Sequence, residues 1–549
     1  MVRMLPSRGR TRWPVALLAL CFFARTAFYA IAYPVWEGYD EWSHYAVIER
    51  VALRHEALPS RDHAVSQRVA ASLRLAPLPW QLKQTPPPAV PQDAYWHLPP
   101  GERAARERAF AALPAQPLQE SPGEYFRAYE ALQPPLYYWL MAPLLRLLSG
   151  ASLGTSVIAL RLAGCILAAF TIPLVYRLAR ETLGSHAAAL GCAAVVALMP
   201  EFAIDVARVG NEAVAVPLFT ALTLLAVQGY RSGFGLARSA ALGVVLGCGL
   251  LAKAYFLTAL PAIAIVLFLA YRRHGPALPE TLRNAAVLIL AAGGIGGWWY
   301  VRNVVDTGTV AGLAESVLVR SLSVRDFLVR ALQADYRAGI DATLFSHLWF
   351  GGWSALTVRS WMYHVFYAVI LLAGIGLLRQ RLRGLVPLAA LYFAFWAGLV
   401  YNIALLFVSK GASTCMGWYL YAAVGAEVVL CWAGLQGLAP RRPAAWIPAL
   451  GATLFGLLDL YTVHAVSLPY YTGMIAHRAN GSLAALHGAG WAQVGLTGMI
   501  VRLGGFKGVW GAPAVLVTAW ALYLAGTLLP IGLALHSARN NGARALVES

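Results

Sequence analysis

Stretches of apolar residues long enough to cross a lipid bilayer recur along almost the whole of this 549-residue chain. A membrane-spanning helix needs about 20 consecutive, mainly apolar residues, because it must cross a hydrocarbon core roughly 30 Å thick. Hydrophobic residues make up 59% of the chain and charged residues only 12%, and the mean hydropathy is +0.60. These values exclude a set of soluble domains and predict an all-α polytopic membrane protein.

The positions of these stretches predict about 12 transmembrane helices in one integral-membrane domain, residues 1–549. The predicted spans are 14–34, 155–178, 186–203, 211–230, 236–252, 254–271, 284–301, 361–378, 385–408, 417–437, 445–465 and 512–536. The apolar run 134–150 is marginal in length. We interpret it as an interfacial or re-entrant helix.

The distribution of arginine supports this count of spans. With the N-terminus in the cytoplasm, the short outer connections carry one cation each, whereas the cytoplasmic loops carry two or three arginines each, as the positive-inside rule requires of short loops. These arginines are Arg177, Arg180, Arg231, Arg238, Arg272, Arg273, Arg283, Arg379, Arg381, Arg383, Arg441 and Arg442. Counting the run 134–150 as a full span would reverse this agreement.

Three long segments then face the outside of the cytoplasmic membrane, and both termini are cytoplasmic. The outer segments are 35–154, 302–360 and 466–511. Aromatic residues in the first of them are typical of chain that lies at the membrane interface, so we expect interfacial helices there. Arginines before the first span are compatible with a signal peptide, but the length of the run favours an uncleaved anchor.

The formal net charge of +18 is typical of a membrane protein that contacts anionic lipid headgroups. No compact basic domain with nucleic-acid motifs is present, so nucleic-acid binding is set aside. The six cysteines include no CxxC pair, which argues against a zinc site or a disulfide framework.

The first outer segment begins with two adjacent carboxylates, Asp40 and Glu41. Carboxylates are costly to place in hydrocarbon, so acids at a membrane boundary are either solvated or functional. If the following residues are helical, His44 shares a face with both acids. The simpler alternative is a solvated helix N-terminus, where acidic residues suit the helix dipole.

Other polar residues converge on the same predicted side of the membrane. They are Glu130, Gln133, Tyr137, Arg161, Arg208, Asn211, Glu212, Lys253, Arg302, Lys410 and Asp459. Singly, Lys253 and Lys410 can be snorkelling side chains and Asn211 a helix cap. Together, cations suited to a phosphate leaving group and carboxylates suited to deprotonating a hydroxyl predict a site for an anionic, lipid-linked substrate.

Several motifs follow one another between residue 14 and about residue 303. They are Asp40-Glu41 with His44, Glu130-x-x-Gln133-Pro-Pro-Leu-Tyr-Tyr, PEFAIDVARVGNE at 200–212, GLLAK at 249–253 and GWWYVRN at 297–303. Their ordered set resembles the GT-C superfamily of membrane glycosyltransferases, in the branch of the protein O-mannosyltransferases and lipid A aminoarabinose transferases. Beyond them, only the pattern of spans and KGASTCMGWYLY at 410–421 are similar.

The resemblance implies transfer of a sugar from a polyprenyl-phosphate donor to a hydroxyl of a lipid or glycan acceptor on the outer face of the cytoplasmic membrane. In that scheme Asp40 is the general base, and Glu41 and His44 orient the acceptor or a divalent cation. Three cations neutralise the leaving polyprenyl phosphate: Arg208, Lys253 and Arg302. The remaining expected substrate-binding residues are Gln133, Tyr137, Asn211, Glu212 and Lys410.

Two departures leave the sugar and any metal ligands open: relatives often have lysine where this chain has Gln133, and aspartate where it has Glu212. Two alternative functions also remain. An O-antigen-type polymerase or ligase has about a dozen spans and long outer loops, but centres on arginine-rich loops. A secondary transporter or lipid flippase places polar residues at mid-bilayer, and Glu427 is the residue that fits that class.

Overall fold

The computed structural model of this protein describes residues 12–61, 63–114, 126–379, 384–439, 444 and 446–547. Its helices are α1 (Arg12–Ala32), α2 (Glu41–Leu53), α3 (Gln67–Leu75), α4 (Gln92–Tyr95), α5 (Pro100–Ala111), α6 (Leu136–Leu147), α7 (Leu153–Ala169), α8 (Thr171–Leu183), α9 (His186–Leu198), α10 (Pro200–Val206), α11 (Glu212–Ser232), α12 (Leu236–Ala252), α13 (Ala259–His274), α14 (Leu278–Ala292), α15 (Trp298–Thr307), α16 (Ala314–Val319), α17 (Val324–Ala331), α18 (Tyr336–Leu348), α19 (Ser360–Leu378), α20 (Val386–Lys410), α21 (Val424–Leu438), α22 (Ile447–Tyr461), α23 (Leu468–Tyr471), α24 (Gly488–Gly504) and α25 (Pro513–Val547). Strands β1 (Pro77–Leu78) and β2 (Val90–Pro91) form a short parallel pair.

The predicted all-α polytopic membrane fold is confirmed, and each predicted span coincides with an apolar helix. Within the described ranges, 10 helices are long and apolar enough to cross a membrane, and the bent pair α9–α10 makes an eleventh. The remaining predicted span, 236–252, is the apolar helix α12, which has 17 residues. Parts of the topology prediction lie outside the described residues, namely 1–11 and Arg381, Arg383, Arg441 and Arg442.

The apolar run 134–150 forms α6, a helix of 12 residues that begins directly after two prolines. Its length is too small for a bilayer crossing, since an α-helix of this size extends only about 18 Å. It packs against α2 of the same loop, and it exposes Leu140 and Leu147. This arrangement supports the interfacial or re-entrant interpretation.

The three long loops pack against each other at one end of the helix bundle. The backbone N–H of Trp353 donates to the carbonyl of Glu37 at 3.0 Å, and the indole N–H of Trp96 donates to the carbonyl of Tyr471 at 2.9 Å. In the second loop, α17 exposes Val324 and Leu328, four residues apart on one helix face. An exposed apolar stripe of this kind is typical of a helix that lies in the membrane interface.

The span predicted at 186–203 is bent by 63° between α9 and α10. Pro200 is the first residue of α10, and because proline has no N–H it cannot continue the hydrogen-bond ladder of α9. The carbonyls of Ala197 and Leu198 accept instead from the guanidinium of Arg25 on α1. A side chain thus satisfies backbone groups that lipid could not.

Arg25 also forms a buried ion pair with Asp459 on α22, with 2.7 Å between Nη2 and Oδ1. Tyr29 donates its hydroxyl to the same oxygen, Asp459 Oδ1, at 2.6 Å. We expected Asp459 among the outer polar residues. In the structure it ties two spans together inside the bundle, since both charged side chains are fully buried.

Removing one member of this ion pair should destabilise the fold. We expect Arg25→Met to lower the free energy of unfolding by about 3–5 kcal/mol, because Asp459 would remain charged, buried and unpaired. The measurement is the thermal unfolding of the purified protein. The double variant Arg25→Met, Asp459→Leu is the control, and it should recover most of the loss; a fully stable single variant would contradict this role.

Candidate active site

Asp40 lies in a tight turn directly before α2. Its φ of 57° is left-handed, a conformation that aspartate adopts more readily than most residues. Its side chain caps no N–H of α2, so the helix-cap explanation does not describe it. Its Oδ1 accepts the hydroxyl of Tyr129 at 2.6 Å, and since Asp40 is half-buried and Tyr129 is 39% exposed, this carboxylate can be reached from outside.

Glu130 is the second carboxyl of the site. Burial, followed by the charge on Asp40, raises the pKa of Glu130 to about 8. Burial also raises the pKa of Asp40, but the hydrogen bond from Tyr129 and the positive charges of Arg208 and Lys253 oppose that effect. At neutral pH Glu130 therefore holds a proton, whereas the hydrogen bond from Tyr129 and the two cations favour the ionised form of Asp40.

His44 on α2 connects to Glu130. The hydroxyl of Tyr138 donates to the carbonyl of Glu130 at 2.9 Å, so its oxygen accepts from Nδ1–H of His44 at 3.0 Å. Burial and nearby cations lower the pKa of His44, which keeps the ring neutral. Its Nε2 is then an acceptor, 3.5 Å from the carboxyl of Glu130, and it suits a protonated Glu130.

Two predicted cations form a buried network around Glu212. Arg208 Nη2 lies 2.6 Å from Glu212 Oε2 and 3.1 Å from Asp205 Oδ1, and Lys253 pairs with Glu212 and donates to Asn211 Oδ1 at 2.9 Å. Two cations thus face two carboxylates. The network binds the turn through Arg208, which donates to the carbonyl of Tyr39 at 2.8 Å.

Glu41 points away from Asp40, although the two are neighbours in sequence. Its oxygens lie 2.6 Å from Nε and 2.6 Å from Nη2 of Arg161, and they also accept the backbone N–H groups of Trp36 and Val209 at 3.0 Å each. Glu41 is completely buried. This geometry differs from the predicted catalytic placement, because no part of the carboxylate faces the side from which Asp40 is reached.

The other predicted residues lie around this centre. Tyr137 accepts the N–H of Gly210 at 3.0 Å, and Gln133 Oε1 is buried without a partner among the described residues. Lys410 pairs with Glu315 at 2.5 Å, and the charge of Glu315 acts on Glu130, which places this pair at the rim.

Arg302 stands apart from the predicted cluster. It pairs with Asp306 at 3.2 Å, and no contact with Asp40 occurs in the part of the chain that the structure describes. Its guanidinium lies 5.1 Å from the ring centre of Trp299. Arg61 lies 5.6 Å from the same ring centre and 3.5 Å from the same Asp306, so two arginines share one carboxylate.

Sequence reasoning counted Glu130 among the converging polar residues but assigned no role to Glu130 or Tyr129, although the motif that begins at Glu130 contained the signal. It also expected a divalent cation as one option. Among the described residues, no group of three or more histidine, cysteine or acidic side chains could hold a metal ion. The acids near Asp40 are instead engaged with tyrosine, histidine, arginine and lysine.

Part of the chain that forms this site matches a known protein family. Residues 132–300 match the family model described as dolichyl-phosphate-mannose-protein mannosyltransferase. The predicted resemblance to the GT-C glycosyltransferases is confirmed. The matched range includes the Glu212 network but begins after Asp40. A sequence search against curated proteins finds no match to this chain.

Solved structures similar to this chain include ArnT from Cupriavidus metallidurans in the apo state, at 12% identity and a TM-score of 0.42, covering 91% of this chain and 77% of that one. The same protein bound to undecaprenyl phosphate is similar at 13% identity, with the same coverage and TM-score. Arabinosyltransferase EmbB from Mycobacterium smegmatis has 12% identity and a TM-score of 0.41, covering 100% of this chain and 44% of that one.

Loss of charge should lower the stability of the protein at Glu41 but not at the adjacent Asp40. We expect Glu41→Gln to lower the free energy of unfolding by about 3–5 kcal/mol, because it leaves Arg161 buried and unpaired. Asp40→Asn should leave stability close to that of the wild type, because Asp40 is half-exposed. Thermal unfolding of both purified variants tests this, and equal losses in the two would refute the assignment.

Proposed function

We propose that this protein transfers a sugar from a polyprenyl-phosphate-linked donor to an acceptor hydroxyl on the outer face of the cytoplasmic membrane, with Asp40 as general base. Its acceptor is a lipid or glycan. The matching family model is named for dolichyl-phosphate-mannose, which is a sugar carried by a polyprenyl phosphate. That name supports the donor class and leaves the sugar open.

The observation that carries the proposal is the contact between Asp40 and the hydroxyl of Tyr129, at 2.6 Å. A general base must lie within hydrogen-bond reach of the proton that it removes. Tyr129 occupies the place of such a hydroxyl, so an acceptor alcohol that displaces it would present its proton to the same oxygen. Asp40 is also the carboxyl whose ionised form is favoured by Tyr129, Arg208 and Lys253, whereas Glu130 holds its proton at neutral pH.

In the proposed step, the acceptor oxygen forms a bond to the anomeric carbon while its proton passes to Asp40. The bond from that carbon to the phosphate oxygen breaks, and the electron pair leaves with the polyprenyl phosphate. Attack opposite the leaving group inverts the anomeric carbon. Glu130 and His44 position the reactants without changing their own charge.

The leaving phosphate needs accessible positive charge. Arg208 and Lys253 are buried and already paired with carboxylates, so we assign them to holding the Asp40 turn. Arg302 and Arg61 are more accessible and share one acid, Asp306. Their excess positive charge suits them to hold the donor phosphate.

The first test replaces the base. We expect Asp40→Asn to reduce sugar transfer by about 10²–10⁴-fold, the usual contribution of a general base. The measurement is the transfer of radiolabelled sugar in membranes that contain equal amounts of each protein. Asp326→Asn, at an exposed position of α17, is the matched control and should retain full activity; unchanged turnover in Asp40→Asn would remove Asp40 from the mechanism.

The second test concerns pH. The hydrogen bond from Tyr129 lowers the pKa of Asp40, because it stabilises the ionised form. In Tyr129→Phe that pKa should rise, so the fall of kcat/KM on the acid side should move to higher pH. Rates measured across the pH range report this shift. The control, Tyr401→Phe at an exposed position of α20, should keep the wild-type profile, and an identical profile in Tyr129→Phe would exclude its contact with the base.

A further inference from the structure

A cavity within the membrane-spanning bundle lies apart from the residues assigned to sugar transfer. Its empty space, part of which is open to the surroundings of the bundle, is about 790 Å³, and it is lined mainly by apolar side chains of α9, α19, α21 and α22. Among them, Ile370 and Phe455 are half-buried, so the cavity is not sealed from the lipid around the bundle.

One wall of this cavity is polar. His347 and Glu427 both line it, and they form an ion pair with 3.1 Å between Nε2 and Oε1. The other ring nitrogen of His347, Nδ1, lies 3.1 Å from the carbonyl of Gly417. Burial lowers the pKa of His347, but the charge of Glu427, its hydrogen bond and the carbonyl of Gly417 outweigh burial and raise it. The pair is therefore an imidazolium that donates from both ring nitrogens, one of them to a carboxylate.

The second oxygen of this carboxylate, Glu427 Oε2, is buried and has no hydrogen-bond partner among the described residues. A buried charged acceptor without a donor is costly, and the cost falls when a donor reaches it. The indole N–H of Trp432, which also lines the cavity, is likewise without a partner in the described part of the chain. The cavity thus offers an acceptor and a donor within an apolar wall.

We infer that this cavity is a lipid-binding site for an uncharged lipid alcohol, whose chain fills the apolar part and whose hydroxyl donates to Glu427 Oε2. Hydrocarbon, not water, is the natural content of an apolar space in a membrane. A phosphate or carboxylate headgroup is excluded, because it would bring a second negative charge against Glu427 in a medium of low dielectric constant. The site therefore differs from any site for a polyprenyl phosphate, and the inference does not rest on the proposed transferase activity.

Binding to the purified full-length protein tests the chemistry of the ligand. Tritiated geranylgeraniol should bind saturably, and at least about tenfold more tightly than geranylgeranyl phosphate. Hexadecanol, in competition, distinguishes the source of the chain: strong competition indicates a straight acyl-type alcohol, and weak competition an isoprenoid alcohol, each of which supports the site. Binding of the phosphate as tight as that of the alcohol, or no saturable binding of either alcohol, would overturn the inference.

Variants locate the site. Gly451→Phe on α22 should fill the cavity and reduce binding at least about tenfold, since Gly451 lines it. Leu450→Phe is the matched control, because the adjacent Leu450 is 63% exposed on the outside of the same helix. Val369→Phe and its exposed neighbour Leu371→Phe on α19 repeat the comparison, in case one glycine variant does not fold. Equal binding in the cavity variants and their controls would place the ligand elsewhere.

Glu427→Gln tests the charge directly. Without the negative charge, the preference for geranylgeraniol over geranylgeranyl phosphate should shrink to within about twofold. An unchanged preference would show that Glu427 does not face the ligand. Sugar transfer measured in the same variants is a separate readout, so failure of lipid binding and failure of the transferase proposal are distinguishable.

Discussion

The geometry of the candidate active site depends on the buried ion pair between Glu41 and Arg161. The guanidinium of Arg161 has five N–H groups, and besides its two contacts with Glu41 it donates to the carbonyls of Ala30, Tyr33 and Pro34. A charge fully removed from water is tolerable only when its hydrogen bonds are complete. This one arginine therefore fixes the end of α1, the turn after it and the start of α2.

Tyr39 fixes the same turn from the other side of Asp40. Its hydroxyl donates to Glu201 at 2.5 Å and accepts the N–H of Gly352 at 3.1 Å, and its ring stacks on Trp418 with 3.8 Å between ring centres. Asp40 is thus held between two buried neighbours that cannot rotate. A left-handed residue persists where the surroundings determine it this strongly, and a carboxylate held in this way needs little reorganisation when a substrate arrives.

The sequence was sufficient for the features that depend on local patterns. Hydropathy located the spans because the apolar residues of each stretch are enough to predict a membrane-spanning helix. Once the topology was assigned, the accumulation of polar residues at one end of the spans could also be seen. The sequence pattern alone could not show that the side chains of Asp40 and Glu41 point in different directions, because that depends on the left-handed turn at Asp40. Nor could it pair Glu41 with Arg161 or Arg25 with Asp459, since such partners are chosen by packing between distant helices. Arg302 is a further example. The sequence predicted its place near the end of a span, but not its neighbours Asp306 and Trp299.

The bend at Pro200 separates two kinds of constraint within a single membrane crossing. Before the bend, α9 is composed mainly of small and apolar residues that pack against neighbouring helices. After the bend, α10 holds the second long loop, because its Glu201 accepts the N–H groups of Phe350 and Gly351 at 2.8 Å each. Substitutions in the first part need only preserve apolar volume, whereas those in the second must preserve individual partners. The tolerance to mutation should therefore change within one helical turn, inside a segment that hydropathy alone predicts to be a single uniform span.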